Sequence, residues 1–515
     1  MDGKADVVNV ITPLLTQAGR QPEQTAIEGA LDRWSYGRLR NDVLAYAGAL
    51  HRQGVVAGQR VLLIAPTVPE FVVAYLGVQA LGAVVVPVNT MSTRAELEYF
   101  IAEAGCTLVI AWHELGTVAS EAAATAGVPV WSLTEGAETG AGESPATAHD
   151  GAGEDVTVIL FTSGTTGRPK GAELTVGNVL AAGEIAVRLA GATPADRIGT
   201  GLPLFHVFGQ TAVLMLALTA GASMSLLPRF SAEAMLDMLR RDRLTVMCGV
   251  PTMWNAMLHD AAGASAADFI NLRLAISGGA SLPGAVNSAF QETFGCTLLE
   301  AYGLTETTAI GTYGGPHAPP GSVGTAAFHT AVEVRDAAGL PAAPNTAGEV
   351  YIKGPTVMRG YHHRPDATAE VLSADGWFRT GDIGEMDAEH NVRIVGRAKE
   401  LIIRGGYNVY PSEVEAVLYE HPDIIEAAVV GIEHEHYGEE VAAVVVVGPG
   451  SRTDAAEIMA WARERLSAYK IPRVVQFVDR LPTGSTGKIL KRAIDRGVLA
   501  EMLTGRAAPP TTVAG

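Results

Sequence analysis

Apolar stretches alternate along the chain with stretches in which apolar residues recur every three or four positions. From Arg60, "RVLLIA" predicts a buried strand, "PEFVVAYLGVQAL" a helix with Pro69 near its first turn, and "GAVVVPV" a second strand. Thr93 and Glu96 then stand in capping-box spacing ahead of another helix. Strand–helix alternation of this kind predicts a largely parallel sheet with helices on its faces.

The alternation resumes in "SMSLL", "AMLDMLRR", "TVMCGV", "PTMWNAML", "LAIS" and "VNSAFQETF". From about residue 398 the elements become shorter, as in "PSEVEAVLYEH", "IIEAAVVG", "EVAAVVVVG", "AAEIMAWARERL" and "VVQFVD". We therefore predict an α/β protein with a large N-terminal domain over 1–397 and a small C-terminal α+β domain over 398–515. The acidic segment 133–155 is predicted to be an exposed connection, and the tail "GRAAPPTTVAG" to be disordered.

Composition and charge exclude several classes of protein. The 515 residues carry 37 Lys and Arg against 55 Asp and Glu, a formal net charge of −18. Nucleic acid is therefore not expected as a main partner, because its binding depends on Lys and Arg that meet phosphates. An anionic ligand such as ATP must rely on local basic contacts. Cys106, Cys248 and Cys296 are far apart and odd in number, which favours neither a disulfide framework nor a zinc site.

The sequence also bears on location. Its start, "MDGKADVVNVITPLL", lacks the basic and long apolar regions of a signal peptide. The most apolar stretch, "VFGQTAVLMLALTAGASMSLL", is interrupted by Gly, Gln, Thr and Ser, so no run is apolar enough to span a membrane. We expect a cytoplasmic protein without stable membrane insertion.

The segment "FTSGTTGRPKGAE" (161–173) is rich in glycine and hydroxyl residues and lies between two predicted strands. It lacks the GxxxxGK[ST] spacing of a Walker loop, and a strand rather than a helix is predicted to follow it. Its small residues would let backbone N–H groups approach phosphate oxygens. Ser163, Thr165 and Thr166 would add hydrogen-bond donors, and Lys170 would add a positive charge. Taken alone, the segment leaves a hairpin without a ligand open as the alternative.

This segment, as "FTSGTTGRPKG", resembles the phosphate-loop signature of the ANL superfamily of adenylate-forming enzymes. Further matches follow in the family's order: "EAYGLTET" (300–307), "WFRTGD" (377–382), "GRAKELIIRGGYNVYPSEVE" (396–415) and "LPTGSTGKILKR" (481–492). The resemblance extends from about residue 25 to residue 492. It implies a two-step reaction in which a carboxylate attacks the α-phosphate of ATP to give acyl-AMP, and a thiol then displaces AMP. ATP, Mg²⁺ and CoA are the implied cofactors and co-substrates.

The resemblance also implies roles for residues that match the family's motifs. Lys488 would be the catalytic lysine that bridges carboxylate and α-phosphate, Glu306 the Mg²⁺ ligand, and Thr305 a donor to a phosphate oxygen. Lys399 would lie at the hinge about which the C-terminal domain rotates, and Gly405 and Gly406 would line the CoA tunnel. The implied ATP or AMP contacts are Thr162, Ser163, Gly164, Thr165, Thr166, Gly167, Lys170, Gly279, Ala280, Ser281, Glu300, Ala301, Tyr302, Thr305, Asp382, Ile394, Arg397 and Lys488.

The segment "PLFHVFG" (203–209) bears on the acid that is activated. Amino-acid-activating members of the family carry Phe-Asp here, whereas this chain has Phe205 and His206, and His206 resembles the gating residue of acyl- and aryl-CoA synthetases. Apolar neighbours indicate a fatty, aryl or terpenoid-like monocarboxylic acid. The expected acyl-substrate residues are His206, Val207, Gly209, Gln210, Gly278, Tyr302, Gly303 and Leu304.

We therefore predict an AMP-forming acyl-CoA synthetase. One alternative is a ligase that hands the acyl group to a carrier-protein thiol or to a partner enzyme. A second is a protein that binds nucleotide or acyl groups without catalysis, which the presence of all six matched polar residues disfavours: Lys170, Thr305, Glu306, Asp382, Arg397 and Lys488. The particular acid and the oligomeric state, including a homodimer, are left open.

Overall fold

The structure is a computed structural model that describes residues 8–29, 32–134, 147–162, 168–261, 263–315, 318–484 and 487–504. Three regions that the sequence analysis singled out lie outside these described residues, wholly or in part. They are the centre of the predicted phosphate loop (Ser163, Gly164, Thr165, Thr166 and Gly167), residues 135–146 of the acidic segment, and residues 505–515 of the tail.

The helices and strands that the sequence pattern predicts are found in the predicted order, together with others that it did not predict. The α-helices are α1 (Thr12–Arg20), α2 (Tyr36–Arg52), α3 (Pro69–Ala80), α4 (Arg94–Ala104), α5 (Gly116–Ala126), α6 (Val176–Ala190), α7 (Val207–Gly209), α8 (Leu216–Ala220), α9 (Ala232–Arg241), α10 (Pro251–Asp260), α11 (Gly284–Phe294), α12 (Pro365–Ala369), α13 (Pro411–Tyr419), α14 (Ala455–Arg465) and α15 (Arg496–Leu503).

The strands of the first half are β1 (Thr25–Glu28), β2 (Arg33–Ser35), β3 (Arg60–Ile64), β4 (Val84–Pro87), β5 (Cys106–Trp112), β6 (Val130–Leu133), β7 (Val156–Thr162), β8 (Lys170–Thr175), β9 (Arg197–Thr200), β10 (Ser223–Leu226), β11 (Val246–Gly249) and β12 (Leu274–Gly278). Those of the second half are β13 (Thr297–Tyr302), β14 (Thr312–Tyr313), β15 (Thr325–Ala326), β16 (Ala331–Arg335), β17 (Gly348–Lys353), β18 (Gly360–Tyr361), β19 (Phe378–Met386), β20 (Val392–Arg397), β21 (Ile402–Arg404), β22 (Tyr407–Val409), β23 (Ile424–His434), β24 (Gly438–Val447) and β25 (Val474–Phe477).

Two large sheets, mostly parallel, form the N-terminal part. The first has the order β18-β8-β7-β4-β3-β5-β6, and the second the order β15-β14-β13-β12-β11-β9-β10-β1-β2. Both faces of the first sheet are covered, so the side chains of β3 divide between two cores. Val61 and Leu63 pack with residues of α2 and α3, whereas Leu62 and Ile64 pack with residues of α4 and α5. Burial on both faces explains why the sequence of β3 is a continuous run of apolar residues.

A third sheet, in the order β16-β17-β19-β20, is antiparallel and was not predicted from the sequence. Its strands Phe378–Met386 and Val392–Arg397 contain the "TGD" motif and the start of the hinge segment. Val334, Val350 and Ile352 form its small core, against which Tyr302 and Ile394 pack. The third sheet thus lies beside the end of β13 in the second.

The C-terminal part forms a separate sheet in the order β22-β21-β24-β23, with β25 parallel to β24. Alternate residues of β23 face opposite sides: Val429 packs with residues of α13 and α14, and Val430 packs with Leu499 of α15. This is the small α+β domain expected from the sequence, although the boundary at 397/398 stays a prediction. Among the described helices, none has the length and apolar character needed to cross a membrane.

The predicted capping box at the start of α4 is confirmed. The Thr93 hydroxyl accepts from the Glu96 N–H at 3.3 Å, and Glu96 accepts from the Thr93 N–H at 2.8 Å. We expect Thr93→Ala to lower the free energy of unfolding by about 1 kcal/mol, because the first turn of α4 loses a cap. Denaturant titration measures this difference, with Met91→Ala at an exposed neighbouring position as the control. Equal stabilities of the two variants would contradict the prediction.

Candidate active site

The base of the predicted phosphate loop lies next to Glu306. Strands β7 and β8 are antiparallel neighbours that pair Thr162 with Lys170, the residues that flank the loop on either side. The buried Glu306 carboxylate accepts two hydrogen bonds at Oε1, from Thr162 Oγ1 at 3.3 Å and from Tyr361 OH at 2.9 Å. Lys170 Nζ lies 5.1 Å from the centre of the Tyr361 ring. The YGLTE turn and the loop strands are therefore joined through one carboxylate.

A second cluster brings Tyr302, Asp382 and Arg397 together. Asp382 and Arg397 are cross-strand partners on β19 and β20, and Tyr302 ends β13. Tyr302 OH donates to Asp382 Oδ2 at 2.6 Å, and Arg397 Nε lies 3.2 Å from Asp382 Oδ1. Asp382 is only 4% exposed, and its burial raises the pKa of the carboxyl against the opposing effects of Arg397 and Tyr302. The cluster fixes both oxygens of one buried carboxylate.

Lys488 of the C-terminal part reaches this second cluster. The family resemblance implies that residues 277–282, "SGGASL", lie beside the adenine, and we refer to them as the adenine-side loop. A Cβ atom at Gly279 would lie 2.6 Å from Lys488 Cε, so the lysine stem passes directly over the backbone of this loop. Burial, and after it the positive charge of Arg397, lower the pKa of Lys488 to about 8 against the opposing effect of Asp382. The structure therefore brings Lys488 into the N-terminal part, near Asp382 and Arg397, which are also predicted to contact ATP or AMP.

His206 lies near Lys488 and is held as a neutral ring. Its Nδ1 accepts from the Phe208 N–H at 3.2 Å, so the neutral imidazole carries its proton on Nε2. Burial, followed by the nearby positive charge of Lys488, lowers the pKa of His206 to about 3. An imidazole in this position stays uncharged across the physiological pH range.

The adenine-side loop follows β12 and is tied to Glu300. Ser277 and Glu300 are neighbours on parallel strands, and Glu300 Oε2 accepts from the Leu282 N–H at 3.3 Å. Burial raises the pKa of Glu300 to about 7, opposed by this hydrogen bond. Gly279, Ala280 and Ser281 lie exposed between these two fixed ends, and Ala301 pairs with Gly278. The loop therefore presents its backbone on a rigid support.

The segment after His206 is helical from Val207 to Ala220, and its middle part, Gln210–Met215, is a wide π segment between α7 and α8. Gln210 is buried, with Oε1 accepting from Tyr75 OH at 3.1 Å and Nε2 donating to Leu204 O at 3.0 Å. Thr211 Oγ1 donates to Thr308 O at 3.0 Å. The polar groups of this segment are thus bonded within the protein, and apolar side chains are left to form a pocket wall.

Three glycines of the predicted acyl set are required by packing. A Cβ atom would lie 2.5 Å from Pro203 O at Gly209, 3.0 Å from Phe208 Cζ at Gly278, and 2.3 Å from the carbonyl carbon of Ala309 at Gly303. Any larger residue would push backbone or ring atoms apart. Of the other predicted acyl residues, Val207 is buried in the main core, and Leu304 packs against both that core and the core of the third sheet. Thr305 begins the short helical turn that contains Glu306.

The predicted hinge and tunnel residues lie in the segment that leads into the C-terminal sheet. Lys399 is exposed between β20 and β21. Gly405 and Gly406 form the turn between β21 and β22 with φ of 57° and 84°, a backbone conformation that favours glycine. A Cβ atom at Gly405 would meet Tyr437 at 3.1 Å, and one at Gly406 would meet open space. In this arrangement the backbone conformation, rather than crowding, accounts for Gly406.

Sequence reasoning missed two residues that contact the site. Tyr361 donates to Glu306, and Thr252 donates to the carbonyl of Gly487, which directly precedes Lys488. "RGYHH" carries no signal that could have placed Tyr361 there. "VPTMW" predicts the start of a helix but not a contact with a residue more than 200 positions later.

The chain matches two known domain families. The AMP-binding enzyme family matches residues 14–362, and the AMP-binding enzyme C-terminal domain matches residues 413–488. The chain is 35% identical over 483 residues to a feruloyl-CoA synthase of an Amycolatopsis species, which covers 93% of this chain and 97% of that protein.

Solved structures show the same architecture. ATP-bound MatB from Rhodopseudomonas palustris superimposes with a TM-score of 0.89 at 32% identity, covering 97% of this chain and all of that one. A benzoate CoA ligase from Burkholderia xenovorans LB400 gives 0.88 at 29% identity, covering 94% of this chain and 98% of that one.

The chain belongs to the AMP-binding enzymes, the adenylate-forming ligases of the ANL superfamily. The predicted family and the α/β fold class with a smaller C-terminal domain are confirmed. So is the prediction of an AMP-forming acid–thiol ligase.

The electrostatics of the site predict how the pKa of Lys488 responds to its neighbours. Arg397→Gln should raise this pKa above about 8, because a nearby positive charge is removed. Asp382→Asn should lower it, because an attractive negative charge is lost. Competitive acetylation of Lys488 across pH, read by peptide mass spectrometry, measures both shifts. Arg404→Gln, which removes a partner of Glu440 in the C-terminal sheet, is the control. A pKa that moves equally in all three variants would contradict this account.

Proposed function

We propose that the protein is an ATP-dependent acyl-CoA synthetase whose active site is formed by the residues described above. A carboxylate oxygen attacks the α-phosphorus of ATP, the bond to the bridging oxygen breaks, and acyl-AMP and pyrophosphate result. The thiolate of CoA then attacks the acyl carbon, the bond to AMP breaks, and acyl-CoA and AMP are released. The observation that supports the residue assignment is the position of Lys488 beside Asp382, Arg397 and His206.

The first step brings an anion to a polyphosphate, so charge neutralisation is its main requirement. Lys488 supplies a cation between the attacking carboxylate and the α-phosphate. Lys170 and Thr162 flank the loop that would hold the other phosphates, and Thr305 would donate to a phosphate oxygen. Asp382 accepts from the ribose hydroxyls beside Arg397, and Tyr302 closes the cluster next to the adenine-side loop.

Glu306 fits the role of a Mg²⁺ ligand. Within the described residues, no group of three or more His, Cys, Asp or Glu side chains could hold a metal ion. A hard cation would therefore depend on phosphate oxygens together with one carboxylate. The hydroxyls of Thr162 and Tyr361 both donate to Oε1 of Glu306, which orients Oε2 for such a cation. When bound, Mg²⁺ would neutralise charge on the phosphates.

The second step requires a different arrangement of the C-terminal domain. Lys488 fills the position next to His206 that a thiol arm has to approach. Rotation about Lys399 would withdraw Lys488 and bring Gly405 and Gly406 to the site, where their lack of side chains leaves room for pantetheine. Gating of this kind separates two chemistries in one site.

The acid that we propose is a hydrophobic monocarboxylic acid. Gln210 and Thr211 have their polar groups bonded within the protein, and His206 is neutral, so these three residues offer no charge to a second carboxylate. The relatives named above include a feruloyl-CoA synthase and a benzoate CoA ligase, both named for aromatic acids. Free CoA is the proposed acceptor. A carrier-protein acceptor, a homodimer and a cytoplasmic location stay predictions.

The products formed with ATP and Mg²⁺ test this function. The enzyme is incubated with benzoate, ferulate, octanoate or hexadecanoate, with and without CoA, and the products are identified by mass spectrometry. We expect acyl-CoA and AMP when CoA is present, and only a stoichiometric amount of acyl-AMP when it is absent. Acyl-AMP that accumulates despite CoA would refute CoA as the acceptor, and the absence of any adenylate would refute the proposed acid class.

The role of Lys488 is tested by measuring the two steps separately. Lys488→Ala should reduce pyrophosphate release by more than about 100-fold, because the transition state loses a cation in a partly buried site. Thioester formation from supplied acyl-AMP and CoA should continue near the wild-type rate. Lys470→Ala, which removes a partner of Glu413 in the C-terminal domain, is the control. Near wild-type adenylation by Lys488→Ala would show that the assigned role is wrong.

A further inference from the structure

Two side chains of α10, in the N-terminal part, donate hydrogen bonds to backbone carbonyls of the C-terminal domain. Thr252 Oγ1 donates to Gly487 O at 2.8 Å, and Asn255 Nδ2 donates to Ile425 O at 2.9 Å. The two residues are three positions apart and therefore lie on the same side of the helix. Both are half-buried, whereas Met253, Trp254 and Met257 face the core.

The first of these bonds acts directly on the lysine loop. Gly487 has φ of 77°, and a Cβ atom there would lie 3.0 Å from Thr252 Oγ1 and 3.3 Å from Val250 Cγ2. On the other side of Lys488, its carbonyl accepts from the Gly484 N–H at 2.8 Å, which closes the loop on itself. The Lys488 backbone is thus held by its own loop on one side and by Thr252 of the opposite domain on the other.

We propose that Thr252 is a positioning residue for Lys488, and that Thr252 and Asn255 together hold the C-terminal domain in the adenylate-forming arrangement. This inference rests on the proposed function, since it assumes that Lys488 acts in the first step. Thr252 does not touch the reacting atoms; it acts through the carbonyl next to Lys488. Both bonds break when the domain rotates for thioester formation.

The strength of the two hydrogen bonds suits a contact between the domains that forms and breaks in each turnover. A neutral hydrogen bond to a carbonyl changes an equilibrium by roughly three- to tenfold. Two of them bias the domain toward adenylation without preventing its rotation in each turnover. Both acceptors are main-chain carbonyls, so this contact between the domains depends on the backbone conformation of the C-terminal domain and not on its side chains.

The test replaces the hydroxyl of Thr252 while its shape is kept. Thr252→Val should lower the rate of pyrophosphate release roughly tenfold and leave thioester formation from supplied acyl-AMP unchanged or faster. Thr252→Ser, which keeps the hydroxyl, should restore adenylation. Asn255→Leu should change both rates in the same direction as Thr252→Val. The acid is the one from the above panel that yields most product, with its synthetic acyl-AMP.

A matched control separates positioning from a general structural effect. Thr330 Oγ1 donates to Ala327 O at 2.7 Å and to Gly311 O at 3.2 Å, within the N-terminal part. Thr330→Val therefore loses the same kind of bond without affecting the domain contact. It should change both half-reactions equally or not at all. If Thr252→Val behaves like Thr330→Val, the inference is wrong.

A measurement of the distance between the two domains tests the inference without a carboxylic acid substrate. Spin labels on Glu233→Cys and Arg463→Cys report the separation of the two domains, and the native Cys106, Cys248 and Cys296 are buried. With Mg²⁺ and ATP alone, Thr252→Val should reduce the population at the wild-type adenylation distance several-fold. An unchanged population would overturn the inference. Failure of Lys488→Ala to impair adenylation would instead refute the proposed role of Lys488. The distance between the spin labels would still show whether Thr252 and Asn255 hold the C-terminal domain in place.

Discussion

The placement of a lysine from one domain near an arginine and a buried aspartate of the other is the interaction on which the site depends. Burial is the main cause that lowers the pKa of Lys488, the positive charge of Arg397 acts in the same direction, and the negative charge of Asp382 opposes both. An anion nearby would favour the charged lysine. On the function proposed above, the phosphates of ATP supply that anion, so the docked C-terminal domain and the bound nucleotide would favour each other.

The three N-terminal sheets each supply part of this site. Tyr302 comes from the second sheet, Asp382 and Arg397 come from the third, and Tyr361 and Lys170 come from the first. None of the sheets contains the site alone. Glu306 belongs to the turn after β13, in the second sheet. Its carboxylate accepts hydrogen bonds from two hydroxyls of the first sheet, those of Thr162 on β7 and Tyr361 on β18. Side chains of three sheets therefore meet at the site, and the lysine loop is the part that the C-terminal domain adds to it.

The sequence predicted most of the elements because buried strands and amphipathic helices leave clear patterns. The "PEFVVAYLGVQAL" helix and the Thr93 cap are found as predicted. The third sheet was missed because its short antiparallel strands, such as β17 and β19, are only half-buried and have no strong periodicity. The π turn at Gln210–Met215 was missed because its residues are as apolar as those of an ordinary buried helix.

Site residues could be named from motifs, but their contacts could not. The matched motif gives Lys488 a role, yet nothing in "LPTGSTGK" shows that Thr252 holds its neighbouring carbonyl. Gly303 also shows that a motif does not reveal the contacts of its residues. The motif predicts that Gly303 contacts the substrate, whereas the structure shows that the backbone of Ala309 leaves no room for a Cβ atom there. On our proposal, the hydrogen bonds of Thr252 and Asn255 to the C-terminal domain are weak enough to break in each turnover, because each is a neutral hydrogen bond to a main-chain carbonyl.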